Sequence, residues 1–406
     1  MKSLVAFVSL VLVGCAVIWA QNAGRNSGNG AGNGTKSART QPAPNSAKTS
    51  VAPNPAAVVA VERGAKWLAS VQGTDGGWGQ DGGDPSNVRQ GVSLESNGND
   101  VANTALAALA LLRAGDRYRP NVERAVDFIL KRVEASPPDG LSITDAKQTQ
   151  VQRKLGPYID TFVASMLLAQ VDGAFARASN VRIRGGLQKC VAKIERNQMK
   201  DGSWNVGGGW APLLGTSLAS RSLYEAEKKG LAVDRDVMAR ADAFTVKNQQ
   251  GGDSMARGGI GAGSGGGAGP GVAGGIGSVS ETVVVSSAAG VALYQDAQAL
   301  EQLSRTSESR AKNSREIAAI NKKLSDSKFV DGYGSIGGEE FFSYLNISDG
   351  LKRSGGKEWS EWHSKISQKI LKLQNDDGTW AGHHCITGRC AVTSAAILNL
   401  TADRAN

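Results

Sequence analysis

From residue 56 onward the chain alternates between two kinds of apolar pattern, both with helical spacing. In the first kind, apolar residues return every three or four positions among many charges. This predicts amphipathic helices over 56–72, 121–135, 184–198, 234–250, part of 297–327, and 359–374. In the second kind, small apolar residues occupy every side, which predicts helices buried all round over 101–113, 158–170, 214–226, 281–294, 339–351 and 390–400. Strand-like alternation is nearly absent, and the two kinds alternate strictly, six of each.

The buried class shares a register. Thr104, Thr161, Thr216, Thr282, Phe341 and Thr393 each fall in the first turn, at separations of 57, 55, 66, 59 and 52 residues. The longest interval contains an insertion, 251–277, in which 14 of 27 residues are Gly. That segment follows no strand and has no Gly-Lys-Ser/Thr, so it reads as a surface loop, with a lid as the lesser alternative. Six hairpins pack most economically as an all-α, closed (α/α)6 toroid over 56–406. The small apolar helices form its inner ring, and the charged helices face water.

Three of the charged helices end in nearly the same words. Gln72, Asp75 and Trp78 recur as Gln198, Asp201 and Trp204, and again as Gln374, Asp377 and Trp380, each in the pattern Gln-x-x-Asp-Gly-x-Trp. Asp supplies an acceptor for a tight turn, Gly permits a positive φ past the helix end, and Trp covers the end of the unit. Weaker versions occur at Asp139-Gly140, Gly251-Gly252-Asp253 and Asp331-Gly332-Tyr333.

Two N-terminal segments stand apart from this pattern. Residues 1–20 have a cationic start and an apolar run, as in an export signal. Leu12-Val13-Gly14-Cys15 has the form of a lipoprotein cleavage site that leaves Cys15 lipidated. The apolar Ala16–Ala20 suits plain cleavage after Ala20 or an uncleaved anchor instead, and the residues leave these alternatives open. Residues 21–55 are rich in Asn, Gly, Ser and Pro and read as a disordered tether. The expected location is therefore extracytoplasmic, in the periplasm or envelope, with membrane tethering through the N-terminus. The net charge of +9 is spread along the chain rather than gathered in a stripe, which argues against nucleic acid as a partner.

At the repeat turns the chain resembles the prenyltransferase and squalene-oxidase repeat proteins, the superfamily of triterpene cyclases and protein prenyltransferase β subunits. The turns match its QW motif, and the likeness covers roughly residues 56–400, with exported bacterial members the most similar. It implies one helical toroid. The superfamily's catalytic residues do not carry over. The cyclase Asp-x-Asp-Asp is absent, and Asn375-Asp376-Asp377 belongs to a repeat turn. The prenyltransferase zinc ligands, Asp-x-Cys and a later His, are also absent, with Val392 where that His is expected. The cavity aromatics of cyclases are replaced by Ala, Val and Thr.

Two constellations could still carry chemistry. Asp160, Glu281 and Glu340 each precede the shared first-turn position, with Asp100 in the same zone, so a toroid would bring them to one mouth. There they could act as acid and base or bind a polar ligand, although acids in a first turn also complement the helix dipole. Tyr158, Phe162, Phe341, Phe342 and Tyr344 could add an apolar lining, or be plain core. The second constellation is His383, His384, Cys385 and Cys390. It reads first as a Cys385–Cys390 disulfide with two flanking imidazoles, and second as a weak zinc site of His383, His384 and Cys385. Cys190 reads as a buried thiol, and Trp67, Trp359, Trp362 and His363 as packing. No cofactor is expected.

The reading that results is a scaffold binding a small apolar or polar ligand, or a protein partner, at the toroid mouth. An enzyme of isoprenoid-like lipids is the alternative, and a polysaccharide-active enzyme comes third. An apolar central cavity with buried acids points to the lipid enzyme. Exposed aromatic platforms point to a glycan, and a shallow or filled centre points to a scaffold.

Overall fold

The computed structural model describes residues 54–92, 98–204, 212–258, 289–331 and 336–404. Helix α1 (Pro55–Ser70) starts on Asn54, whose side chain accepts the Ala56 amide at 3.0 Å, with Pro55 in its first turn. Ala57, Ala60, Val61, Gly64, Ala65 and Leu68 form one buried stripe along it. Helix α2 (Val101–Ala114) differs: every residue from Val101 to Leu111 is buried. The contrast recurs through α3 (Arg119–Ala135), α4 (Gln150–Leu155), α5 (Ile159–Val171), α6 (Arg177–Arg196), α7 (Pro212–Lys228) and α8 (Arg235–Gly258). The chain continues through α9 (Ala289–Leu303), α10 (Ser307–Lys312), α11 (Ser314–Leu324), α12 (Ser327–Val330), α13 (Gly338–Ser354), α14 (Gly356–Lys372) and α15 (Arg389–Leu400).

The inner helices α2, α5, α7, α9, α13 and α15 each pack on the next, and α15 packs back on α2, so the ring closes. The outer helices α1, α3, α6, α8, α11 and α14 lie around them. Among the described residues there is no strand, only an isolated antiparallel bridge between Trp78 and Asp100. The all-α toroid expected from the sequence is the fold.

Several element boundaries differ from the sequence expectation; α6, for one, starts at Arg177 rather than at 184. Helix α8 continues to Gly258, so the first residues assigned to the Gly-rich loop are helical; 259–277 lie outside the described residues. The outer helix expected within 297–327 also begins later. Inner helix α9 takes up Ala297–Leu303, and the outer position passes to α10 and α11. The cause is a buried ion pair that reads as a solvated charge pattern: Glu301 is fully buried and Arg305 is 7% exposed, with Arg305 Nη2 2.6 Å from Glu301 Oε2.

The repeat turns are staples with one geometry. The indoles of Trp78, Trp204 and Trp380 donate from Nε1 to Leu68 O, Ile194 O and Ile370 O at 2.7–2.8 Å, back onto their own outer helices. Their backbone amides donate to Thr104, Thr216 and Thr393 Oγ1, which explains the shared first-turn Thr. Asp75, Asp201 and Asp377 accept the amide two residues on, closing the turn. Gly76, Gly202 and Gly378 sit at φ of 89–92°, and a Cβ there would strike Arg124, Arg240 or Arg63.

Each motif Gln reaches the following outer helix. Gln72 Nε2 donates to Asn121 O, Gln198 Nε2 to Val237 O, and Gln374 Nε2 to Ala60 O. The last of these joins the sixth hairpin to the first and so closes the outer wall. Gln374→Leu removes donors to Ala60 O and Gly378 O. The expected loss is about 1–2 kcal/mol in urea unfolding, because each such bond contributes about 1 kcal/mol net. No change in midpoint would remove the staple role from this side chain.

Candidate functional site: a central cavity with a charged mouth

At the N-terminal ends of α2, α5 and α13 the described residues draw the expected acids into hydrogen bonds within the face. Asp100 caps α2, accepting Asn103 N and Nδ2 at 2.8 Å each. Asp160 Oδ1 accepts the Ala102 amide at 3.0 Å, and its Oδ2 accepts Gln152 Nε2 at 2.6 Å, so it ties α5 to α2 and α4. Both carboxyls are 1% exposed. Burial, reinforced by Asp160, raises Asp100 to about 7, and burial raises Asp160 to about 6 against the hydrogen bonds it accepts. Glu340 Oε2 accepts Gly337 N at 2.9 Å as a capping box. Glu281 lies outside the described residues.

Loops lock this face. Gln150 Oε1 accepts the amides of Thr387 and Gly388, while Asp81 Oδ1 accepts Arg389 N at 2.8 Å. The space left beside Asp100, Asn103 and Gln150 is about 10 Å³, room for one water. Asp100, Asp160 and Glu340 each accept hydrogen bonds that tie this face together. Of the aromatics proposed as lining, Tyr158 is half-buried on the core, Phe162 and Phe341 are buried, and Tyr344 donates to Val330 O at 2.9 Å. Phe342 alone of the five borders the central cavity.

That cavity lies on the ring axis and has a volume of about 210 Å³, with wall residues from all six inner helices. Its deep part is apolar, with Leu106 and Leu109 from α2, Ile159 and Val163 from α5, Leu218 from α7 and Phe342 from α13. Toward the C-terminal ends of these helices the lining becomes charged. Arg113, Arg221, Lys228, Lys352 and Arg353 meet Glu225 and Asp349, five cations against two carboxylates.

The charges form a braced network. Arg221 pairs with Asp349 and donates to Asn346 Oδ1 at 3.1 Å. Lys228 lies 3.6 Å from Glu225, and Arg353 Nη1 is 2.9 Å from Glu301 Oε1. Burial alone would push Glu301 up, but Arg305, Arg353 and Arg221 hold its carboxyl well below the usual range. Arg221 is raised instead, because Asp349, Glu301 and Glu225 outweigh its burial. Arg113 is different. Among the described residues it makes no hydrogen bond, and burial draws its guanidinium below the ordinary value against the pull of Asp349.

The His/Cys loop takes a third arrangement. Cys385 and Cys390 are separate thiols, not the disulfide expected. Cys390 is fully buried in the first turn of α15, whereas Cys385 is held at φ 56° and its thiol meets Glu339. The two imidazoles diverge. His383 borders a separate hollow with Arg89 and Asn375, while His384 Nε2 approaches Glu340 Oε1 at 3.9 Å. His363 stacks on Trp359, with ring centroids 4.7 Å apart, as a packing residue.

The sequence reading missed the cavity mouth and the staple arginines. A signal for the mouth existed: Arg113, Gln170 and Glu225 each stand nine residues after the shared Thr of their helix, polar residues late in otherwise apolar segments. The arginines Arg63, Arg124 and Arg240, which donate to the motif Gln of the preceding turn, gave no motif of their own. Glu339 was passed over because only its contacts set it apart from an ordinary first-turn acid.

Comparisons with known proteins give three likenesses. A family model described as the squalene-hopene cyclase C-terminal domain matches residues 46–140. A squalene–hopene cyclase of Bradyrhizobium diazoefficiens is 37% identical over 70 residues, which is 17% of this chain and 10% of that protein. The match thus spans about a tenth of the relative's own length. Among solved structures, a type II terpene cyclase from Scytonema, in complex with the product merosterolic acid A, is 12% identical at a TM-score of 0.32, covering 86% of this chain and 96% of that one. The match over residues 46–140, the local identity to a squalene–hopene cyclase and the closed ring of helical hairpins support a likeness to the terpenoid cyclase/prenyltransferase repeat superfamily.

Proposed function

We propose that the protein binds an amphipathic, isoprenoid-like lipid, with the apolar part in the central cavity and an acidic head at the mouth. The observation that carries this reading is the gradient along the ring axis, from leucines and Ile159 in the depth to Arg113 and Arg221 at the rim. Apolar walls with a few convergent polar groups are the usual make-up of a ligand site. A 150 Å³ apolar cavity takes up benzene, so 210 Å³ holds an apolar group of roughly eight carbons, with the remainder of a longer chain emerging at the mouth. That is well short of squalene, the compound in the relative's name. No Trp or Tyr lines the cavity among the described residues, which disfavours a glycan. Both mouth carboxylates are committed to ion pairs, which suits holding a ligand better than proton transfer to it. If residues 1–20 act as an export signal, the ligand is met outside the cytoplasm.

The test is equilibrium binding of a fluorescent short isoprenoid acid and of the matching alcohol. Leu109→Trp fills the cavity and should abolish binding of both. Arg113→Ala should weaken the acid about tenfold, or about 1.4 kcal/mol, and leave the alcohol unchanged. Binding that survives Leu109→Trp would place the ligand elsewhere, and conversion of the bound probe to a new product would favour the enzyme alternative.

A further inference from the structure

We propose that Glu339, His384 and Cys385 form a metal site, suited to Zn²⁺, that clamps the 382–386 loop onto the N-terminus of α13. A carboxylate oxygen, an imidazole nitrogen and the thiol sulfur of these three residues lie within 4.8 Å of one another. Nitrogen, sulfur and oxygen donors at this separation are the ligand types that zinc takes in tetrahedral sites, with a fourth position left for water. None of the three lines the central cavity, so the site is distinct from the proposed lipid site.

An independent observation points to a ligand here. Glu339 is 2% exposed, and its Oε1 is buried without a conventional hydrogen bond, while Oε2 accepts Ile386 N at 3.1 Å. A buried carboxylate oxygen left in this state costs free energy unless a cation or donor meets it, and the Cys385 thiol is hydrogen-bonded to the same carboxylate. Glu340 adds a second buried acid beside the imidazole.

The loop is held for this arrangement. Gly338 N donates to Ile386 O at 3.0 Å and His383 N to Ile336 O at 2.9 Å, pairing the loop with the segment before α13. A Cβ on Gly337 would lie 2.6 Å from the His384 ring, so the glycine is what lets the imidazole lie against the helix start. Cys385 adopts a left-handed backbone, uncommon for a residue other than Gly, Asn or Asp. On binding, the thiol proton leaves to solvent and the sulfur takes the metal as thiolate, so affinity rises with pH.

Titrating the reduced, tag-free full chain with Co²⁺ tests the site through the thiolate-to-metal absorption band. One Co²⁺ per chain with that band is expected, and Zn²⁺ should displace it. Cys385→Ser should remove the band with far-UV circular dichroism unchanged, and Cys190→Ser should keep it. Glu339→Gln should keep the band but weaken Co²⁺ at least ~10-fold, since even groups supporting a ligand are worth that much. Absence of the band in the parent protein, its survival in Cys385→Ser, or unchanged affinity in Glu339→Gln would each overturn the assignment.

Discussion

Replacing Trp380 by alanine should destabilise the protein by about 3–5 kcal/mol, the usual cost of emptying a large buried aromatic site. The indole is fully buried, and its Nε1 donates to Ile370 O at 2.8 Å. Its ring also lies over Gly64, where a Cβ would come within 2.9 Å of the ring edge. Trp380 belongs to the last hairpin and Gly64 to the first outer helix, so this contact closes the ring, together with Gln374 on Ala60 O. Total stabilities are typically 5–15 kcal/mol, so the loss is a large fraction of the whole. Hydrogen exchange should rise most in α1 and α14, the helices that meet at the seam. Trp67→Ala, a half-buried residue that Arg389 covers, should cost less. Equal effects of the two variants in urea unfolding, or a loss below about 1 kcal/mol for Trp380→Ala, would remove the seam from the account.

The architecture was legible because its causes are local and repeated. Buried-all-round helices such as α2 and α15 announce themselves in Ala, Val and Leu, and the Thr register survives because Thr104, Thr216 and Thr393 each receive a Trp amide. The site was less legible. Acids at helix starts such as Asp100 and Asp160 look alike in sequence whether they face a ligand or brace a helix, and the donors from Ala102, Asn103 and Gln152 appear only in the fold. The mouth was hidden for the opposite reason. Glu301 and Arg305 carry the signature of a solvated face, and only the closed ring shows that they are buried partners beneath it. Position along a helix can be read from sequence, whereas the open end of a ring depends on which loops close the other.

Stability should fall as pH rises from about 4 to about 7 through Asp100 and Asp160, and Asp100→Asn should remove the share that Asp100 carries. The Asp100 carboxyl, 1% exposed and beside Asp160, is raised to about 7 from its ordinary 3.8. Below about 4 both native and unfolded chains hold the proton, and this group contributes no pH dependence. Between about 4 and 7 the native state keeps a proton that the unfolded state has released, so each step up in pH favours unfolding. Above about 7 the penalty is complete and constant. At about 1.36 kcal/mol per pH unit, the penalty at pH 8 reaches roughly 2–4 kcal/mol, the lower figure allowing for its coupling to Asp160. Asparagine caps a helix as well as aspartate does, so the bond from Asn103 N should persist. Asp100→Asn is therefore expected to be more stable than the parent by about 2–4 kcal/mol at pH 8 and nearly equal to it at pH 4. Urea unfolding at both pH values checks this. A gain of the same size at both would trace to packing rather than charge. A loss at pH 8 would mean that the ionised cap, with its two hydrogen bonds, outweighs the cost of burying it.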